Sequence, residues 1–215
     1  MSKPNFVSRW KSFLSERSAK NEFILSVLLL VTVVFLFSRY LLFNETRDGA
    51  VLDDPLLKNF QAIDLNPLIF FSIYSSLILG LISFSFDPPR LLIAFQTYTL
   101  MVLFRMLAMY LIPLNPPADC IDLQDPVVFM MGTGMKIVKD LFFSGHTSTA
   151  FMLFQVAQNK YLKSYFLIAT IIVGTSVILQ KAHYAIDVYA GIIFSYASYQ
   201  LIKSFHNKFH EKKLL

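Results

Sequence analysis

Six apolar runs constrain this chain more than any other feature. They cover residues 23–43, 67–86, 91–113, 142–158, 164–180 and 183–205. A helix needs roughly 20 predominantly apolar residues to cross a bilayer, so the fourth run is a little short and the others suffice. In hydrocarbon every backbone polar group must be satisfied within the protein, which runs of this length achieve as helices. The expected fold is therefore all-α, an integral membrane bundle of six transmembrane helices. The chain divides into an N-terminal segment at 1–22, a six-span region at 23–205 and a basic tail at 206–215. Composition agrees, because 55% of the residues are hydrophobic and 22 are Phe, against about 45–50% apolar in soluble domains.

The net charge of +5 raises the question of nucleic acid. The basic residues sit at the ends of the apolar runs instead, in the pattern that orients a membrane protein. Alternating the sides from run to run places twelve Lys and Arg on the side of both termini and six, counting Arg39, on the other. The expectation is cytoplasmic termini, with the loops at 44–66 and 114–141 outside. Lys3, Arg9, Lys11, Arg17 and Lys20 resemble the start of a signal peptide, but the apolar run after them is too long and no small-residue cleavage site follows. Asp87-Pro88-Pro89-Arg90 is expected to end the second span, since prolines lack the amide donor. Asp53-Asp54-Pro55 is expected to shape the first outer loop, and Gly132 and Gly134 imply irregular backbone in the second. The single cysteine, Cys120, excludes an intrachain disulfide and a Cys-based metal site.

Two histidines stand at the mouths of apolar runs on the same, extracytoplasmic side. His146 follows Ser144-Gly145 and precedes Thr147, and His183 opens His183-Tyr184-Ala185-Ile186-Asp187. On a helix, residues four apart share a face. Asp187 can then fix the tautomer of His183 and leave its other nitrogen as a nucleophile. His146 can shuttle a proton to a leaving oxygen and take one from an incoming alcohol, worth about 10²–10⁴-fold. Ser144, Gly145 and Thr147 at a helix start suit a phosphate, through free N–H groups, close backbone approach and hydroxyl donors. Arg105, Lys136, Lys139 and Lys181 are the available cations. Plainer readings exist for each piece. Ser-Gly-His alone is a weak motif, a His–Asp pair also favours a helix start, and Arg105 can serve packing. Intramembrane charge is nonetheless expensive and points to function. Asp140 either caps the fourth span or holds a histidine. His206 and His210 are read as solvated residues of the tail, not a metal site.

These motifs resemble a known family. Phe143-Ser144-Gly145-His146-Thr147 and His183-Tyr184-Ala185-Ile186-Asp187 are similar to the second and third motifs of the type 2 phosphatidic acid phosphatase (PAP2) superfamily. The match is closer to its sphingomyelin-synthase-like branch, which also has an aspartate at the place of Asp140 and an arginine-bearing motif like Phe104-Arg105 with Leu114, Pro116 and Cys120. The likeness runs from about 91 to 205. It implies His183 as nucleophile, Asp187 as its partner and His146 as acid and base, with no metal and no cofactor. A Lys-x6-Arg-Pro motif is absent, and Val177 stands where the wider superfamily has an arginine. Both departures favour a transferase over a simple phosphatase.

The expected function is transfer of a phosphorylated head group from a membrane phospholipid to a lipid hydroxyl through phosphohistidine. Its partners would be the bilayer and those two lipids, with no nucleic acid, and a homo-oligomer is left open. Hydrolysis, with water as acceptor, uses the same residues. A transporter or scramblase lined by the histidines is the alternative of another class.

Overall fold

A computed structural model describes residues 5–130 and 134–212, without the side chains of Val128 and of residues 208–212. Lys3, Gly132 and Lys213 lie outside the described residues, as do the side chains of Lys208, His210 and Lys212. The described residues form helices and loops, with one isolated β-bridge. The helices are α1 (Phe6–Ser15), α2 (Arg17–Glu45), α3 (Asn66–Ser85), α4 (Pro88–Leu111), the single turn α5 (Pro126–Val128), α6 (Gly145–Val156), α7 (Lys160–Leu179) and α8 (Ala185–Lys212).

Among the described residues four helices, α2, α3, α4 and α7, are long and apolar enough to cross a membrane. The protein is accordingly a membrane-embedded helical bundle. The fourth expected span is the main departure. Its helix, α6, has only 12 residues, about 18 Å of rise against a hydrocarbon core of about 30 Å. Local chemistry sets both ends. The Ser144 side chain accepts from the Thr147 N–H, which keeps residues 142–144 outside the helix. Asn159 accepts from the Tyr161 and Leu162 N–H groups and starts α7, so the chain turns over residues 157–159. The sixth expected span lies in α8, which has 28 residues and runs unbroken to Lys212, so the tail continues that helix. The second span does end just before Asp87-Pro88-Pro89-Arg90, at Ser85, and the same residues also start the next helix. Asp87 caps α4 and Pro88-Pro89 form its first turn, where a missing N–H is harmless.

Short α6 sits at the centre. It packs on α7 and α8 and reaches α3 and α4. Met152, Leu153 and Val156 of α6 pack with Phe84, Leu91, Ala94 and Phe166. Gly80 of α3 admits this packing, since a Cβ there would come 2.8 Å from the Leu153 side chain. Outside this core, α2 packs on α4, and α1 closes one end. The Trp10 indole donates to the Ser85 carbonyl at 2.8 Å and Arg9 to the Phe86 carbonyl at 2.9 Å. Both serve carbonyls that the end of α3 leaves without helical partners.

At the other end, loops are tied together. Ala50 N–H donates to the Pro113 carbonyl and Asn115 N–H to the Ala50 carbonyl. Gly49 is required there, because a Cβ would lie 2.4 Å from the Leu114 carbonyl carbon. Arg47 donates to the carbonyls of Met109 and Tyr110 and so closes α4. Glu45 accepts from the N–H groups of Val138 and Lys139, and Asn44 donates to the Lys139 carbonyl. The long loop is thus fastened to the end of α2, which sets residues 136–143 over the bundle.

Candidate active site

His183 is placed by the joint between α7 and α8. Lys181 takes a left-handed conformation (φ 53°), Lys181 N–H donates to the Ile178 carbonyl and Ala182 N–H to the Val177 carbonyl. That is the Schellman pattern of helix ending, here with lysine in place of the usual glycine. His183 therefore precedes α8 and is not part of it, as the sequence had implied. Asp187, in the first turn of α8, reaches back. Its Oδ2 accepts from the Tyr184 N–H at 3.2 Å, half of a capping box, and lies 3.1 Å from His183 Nδ1. The pair is almost fully buried, at 2% and 0% exposure. With Nδ1 held by the carboxylate, Nε2 is the nitrogen left for chemistry.

The loop between α2 and α3 fixes the same joint. Asp54 Oδ2 accepts from the Ala185 N–H at 2.8 Å. The Tyr184 hydroxyl donates to the Asn115 carbonyl and accepts from the Leu52 N–H. Gln180, wholly buried, accepts from Leu65 N–H and donates to the Ile121 carbonyl. Asp54 thus shapes its loop, as the sequence implied, by anchoring the His183 motif.

His146 is the second residue of α6, directly across. Ser144 N–H donates to the Asp187 carbonyl at 3.0 Å, tying the two motifs backbone to backbone. Gly191 permits the approach, since a Cβ there would lie 2.9 Å from the Ser144 carbonyl oxygen. His146 Nε2 lies 2.9 Å from Asp125 Oδ2, and the Tyr74 hydroxyl donates to Asp125 Oδ1 at 2.5 Å. The Phe70 ring meets the imidazole at 6.0 Å, edge to face. Sequence reasoning missed this carboxylate. Asp125 is one of four aspartates in an irregular loop, 21 residues from His146, and no periodicity singles it out.

His146 and His183 line one cavity of about 410 Å³. Asp122, Asp125, Asp140, Lys136 and Cys120 share its wall, and Lys136 pairs with Asp122. Arg105 lies behind this wall. Its Nη2 is 2.8 Å from Asp140 Oδ1, and its guanidinium carbon is 5.3 Å from the Phe37 ring centre. Asp140 therefore neither caps α6 nor holds a histidine: Ser144 does the capping, and Asp140 pairs with Arg105. Gly145 makes room for the arginine, because a Cβ would sit 1.9 Å from Arg105 Nη1. The hydroxyls of Ser144 and Thr147 are fully buried and 3.0 Å from each other, behind the histidines. Lys139 donates to the Arg47 carbonyl, and Lys181 faces the Phe60 ring at 5.8 Å. Among the described residues, Asp187 Oδ1 and Arg105 Nε are buried without a hydrogen-bond partner.

The family model described as PAP2 superfamily C-terminal matches residues 139–204. The match takes in both histidine motifs, α6, α7 and most of α8, and it supports PAP2 superfamily membership. Comparison with curated proteins gives no match. Members of that superfamily are phosphatases or phosphotransferases, which supports an enzyme of the phosphatase kind acting on lipid.

Proposed function

We propose that this protein is a membrane lipid phosphotransferase, moving a phosphorylated head group from a phospholipid to a lipid hydroxyl. The observation that carries the reading is the shared cavity, in which His183 and His146 each have a carboxylate partner. His183 Nε2 attacks the phosphorus of the donor. The P–N bond forms, the P–O bond to the diacylglycerol breaks, and His146 gives that oxygen its proton. The acceptor alcohol then loses its proton to His146 as its oxygen attacks phosphorus, and the P–N bond breaks. Asp187 holds His183 in the required tautomer and meets its developing charge. Asp125 does the same for His146. Arg105 stands behind Asp140, where it favours the negative charge of the phosphoryl group.

In this reading α6, lengthened by the non-helical residues on either side of it, and α8 complete six passages. Both termini are cytoplasmic and the cavity opens on the other face. The basic-residue bias supports that orientation. Cys120 tests it, since it lines the cavity. Burial pushes its thiol above the ordinary value, and the Asp122 carboxylate adds to this. Thiolate is therefore scarce at neutral pH, and labelling should speed up as the pH rises. An impermeant maleimide at alkaline pH should label Cys120 from outside in intact cells or vesicles. Labelling only after permeabilisation would reverse the topology.

The activity is tested by incubating purified protein with labelled phospholipids, with and without a lipid alcohol, and separating the products. Diacylglycerol and a new phospholipid should appear together, and only with the acceptor present. Release of the free phosphorylated head group at the same rate without acceptor would make the enzyme a hydrolase. No loss of head group at all would favour a transporter.

A further inference from the structure

A second cavity lies at the opposite end from the histidines. It has a volume of about 810 Å³, and it opens between the N-terminal half of α2, the N-terminal half of α4 and the C-terminal part of α8. Its apolar side is formed by residues such as Leu25, Leu29 and Leu201, all exposed. From Ser18 to Leu29 it follows α2 for about 16 Å, roughly half the hydrocarbon thickness.

One wall of this groove is polar and ordered. Gln96 Nε2 donates to Glu22 Oε1 and to Ser26 Oγ, both at 3.0 Å, which uses both its protons. Gln96 Oε1 accepts from His206 Nε2 at 2.7 Å, and that imidazole lies 3.6 Å from Glu22 Oε1. His206 is thus half-buried and bonded across three helices, not a solvated tail residue as the sequence had suggested. The amide is held from both sides, so its neighbours present a fixed pattern. Glu22 keeps a second carboxylate oxygen that meets no donor among the described residues. Ser26, 5% exposed, accepts from Gln96, and its own proton meets no acceptor among them.

At the bonded amide this leaves an acceptor on Glu22 and a donor on Ser26 side by side, one helical turn apart, while Ser18 and Asn21 line the cavity nearer the start of α2. A phosphate is repelled by Glu22 and has no proton to give it at neutral pH. An ammonium cannot accept from Ser26, and an ester carbonyl cannot donate to Glu22. A hydroxyl does both. We propose that this groove is a second lipid site, holding a lipid with a free hydroxyl, of the diacylglycerol kind, from the leaflet opposite the histidine cavity. The hydroxyl donates to Glu22 and accepts from Ser26, and one acyl chain follows α2 toward Leu29. The proposal does not depend on the phosphoryl-transfer reading.

The test uses the whole protein in phosphatidylcholine nanodiscs and a diacylglycerol carrying a photoactivatable group at the end of one acyl chain. Crosslinked peptides should come from α2 and α4, around Leu29 and Leu100. The same probe with its hydroxyl acetylated should label them at least about tenfold less, the loss expected when a charged acceptor goes unpaired. Ser26→Ala should lower labelling by the free alcohol and leave labelling by the acetylated probe unchanged. Equal labelling of wild-type protein by both probes would overturn the proposal, because the groove would then hold only acyl chain. Labelling confined to peptides of the histidine cavity would overturn it equally. The comparison of the two probes on wild-type protein stands even if the variant does not fold.

Discussion

The two histidines reach similar arrangements by opposite routes. His183 takes its carboxylate from four residues away, on the first turn of the helix it precedes, and the pair is sealed from solvent. His146 takes its carboxylate from a loop 21 residues back, and each partner is 14% exposed. A buried ion pair has nothing to replace a lost partner, so removing one side is severe. A pair that water can reach is more tolerant. The contrast also fits the proposed division of tasks. The enclosed histidine, with its Nδ1 held, suits attack on phosphorus. The more accessible one suits proton exchange with a series of different oxygens.

The sharpest way to break this contrast is to delete the proposed nucleophile. His183→Ala should abolish transfer, a loss of roughly 10⁴–10⁶-fold if it acts as nucleophiles elsewhere do. An acid-labile phosphoprotein trapped by rapid quench should disappear with it. Persistence of that label in His183→Ala would assign nucleophilic attack to another residue. Asp187→Asn comes next. It keeps shape and hydrogen bonding but can offer its N–H to His183 and stabilise the wrong tautomer, for which losses of up to about 10⁴-fold are the precedent. The capping bond to Tyr184 N–H also weakens, so thermal unfolding should be measured alongside. A full-rate Asp187→Asn enzyme would remove the carboxylate from the mechanism.

His146→Ala should cost about 10²–10⁴-fold on an ordinary donor. A donor whose leaving group departs without a proton should recover much of the first step. The same donor should do nothing for His183→Ala. If the rescue appears in His183→Ala instead, the two roles are exchanged.

The difference between the histidines also explains what could be read from the sequence. His183 and Asp187 lie four residues apart, so spacing alone was enough to pair them, although His183 precedes the helix. The apolar runs likewise announced α2, α3, α4 and α7, because each satisfies its own backbone. Asp125 was hidden because its position depends on how a long loop is tied to α2 and α3, through contacts such as Glu45 with Lys139 and Asn66 with the Asp122 carbonyl. The same holds for Arg105 and Asp140. Their pairing, and the reason for glycine at 145, exist only once α4 and α6 are side by side. The short α6 was obscured by hydropathy itself, since Phe142 and Phe143 are apolar yet lie outside the helix. His206 went unread because its partners, Gln96 and Glu22, come from other helices.

The smallest expected effect falls on the pair that sequence did not reveal. Asp125→Asn leaves a side chain that can still meet His146 Nε2, and water reaches the site, so the loss should be on the order of tenfold. Size alone does not separate an electrostatic role from a disturbed loop, because Asp125 also holds Tyr74. A double-mutant cycle does. If Asp125 acts through His146, its removal should matter little once His146 is alanine, and the two losses should fail to add. The donor that rescues His146→Ala should equally relieve Asp125→Asn, since neither then needs to deliver a proton. Tyr74→Phe gives the complementary measure. It removes the contact to Asp125 Oδ1 while leaving the His146 bond to Oδ2, so it should shift the rate less than Asp125→Asn does. Additive losses in the cycle, with no rescue of Asp125→Asn by the activated donor, would show that this carboxylate only shapes the loop. His146 would then work without a partner, and the likeness between the two histidines would be one of geometry alone.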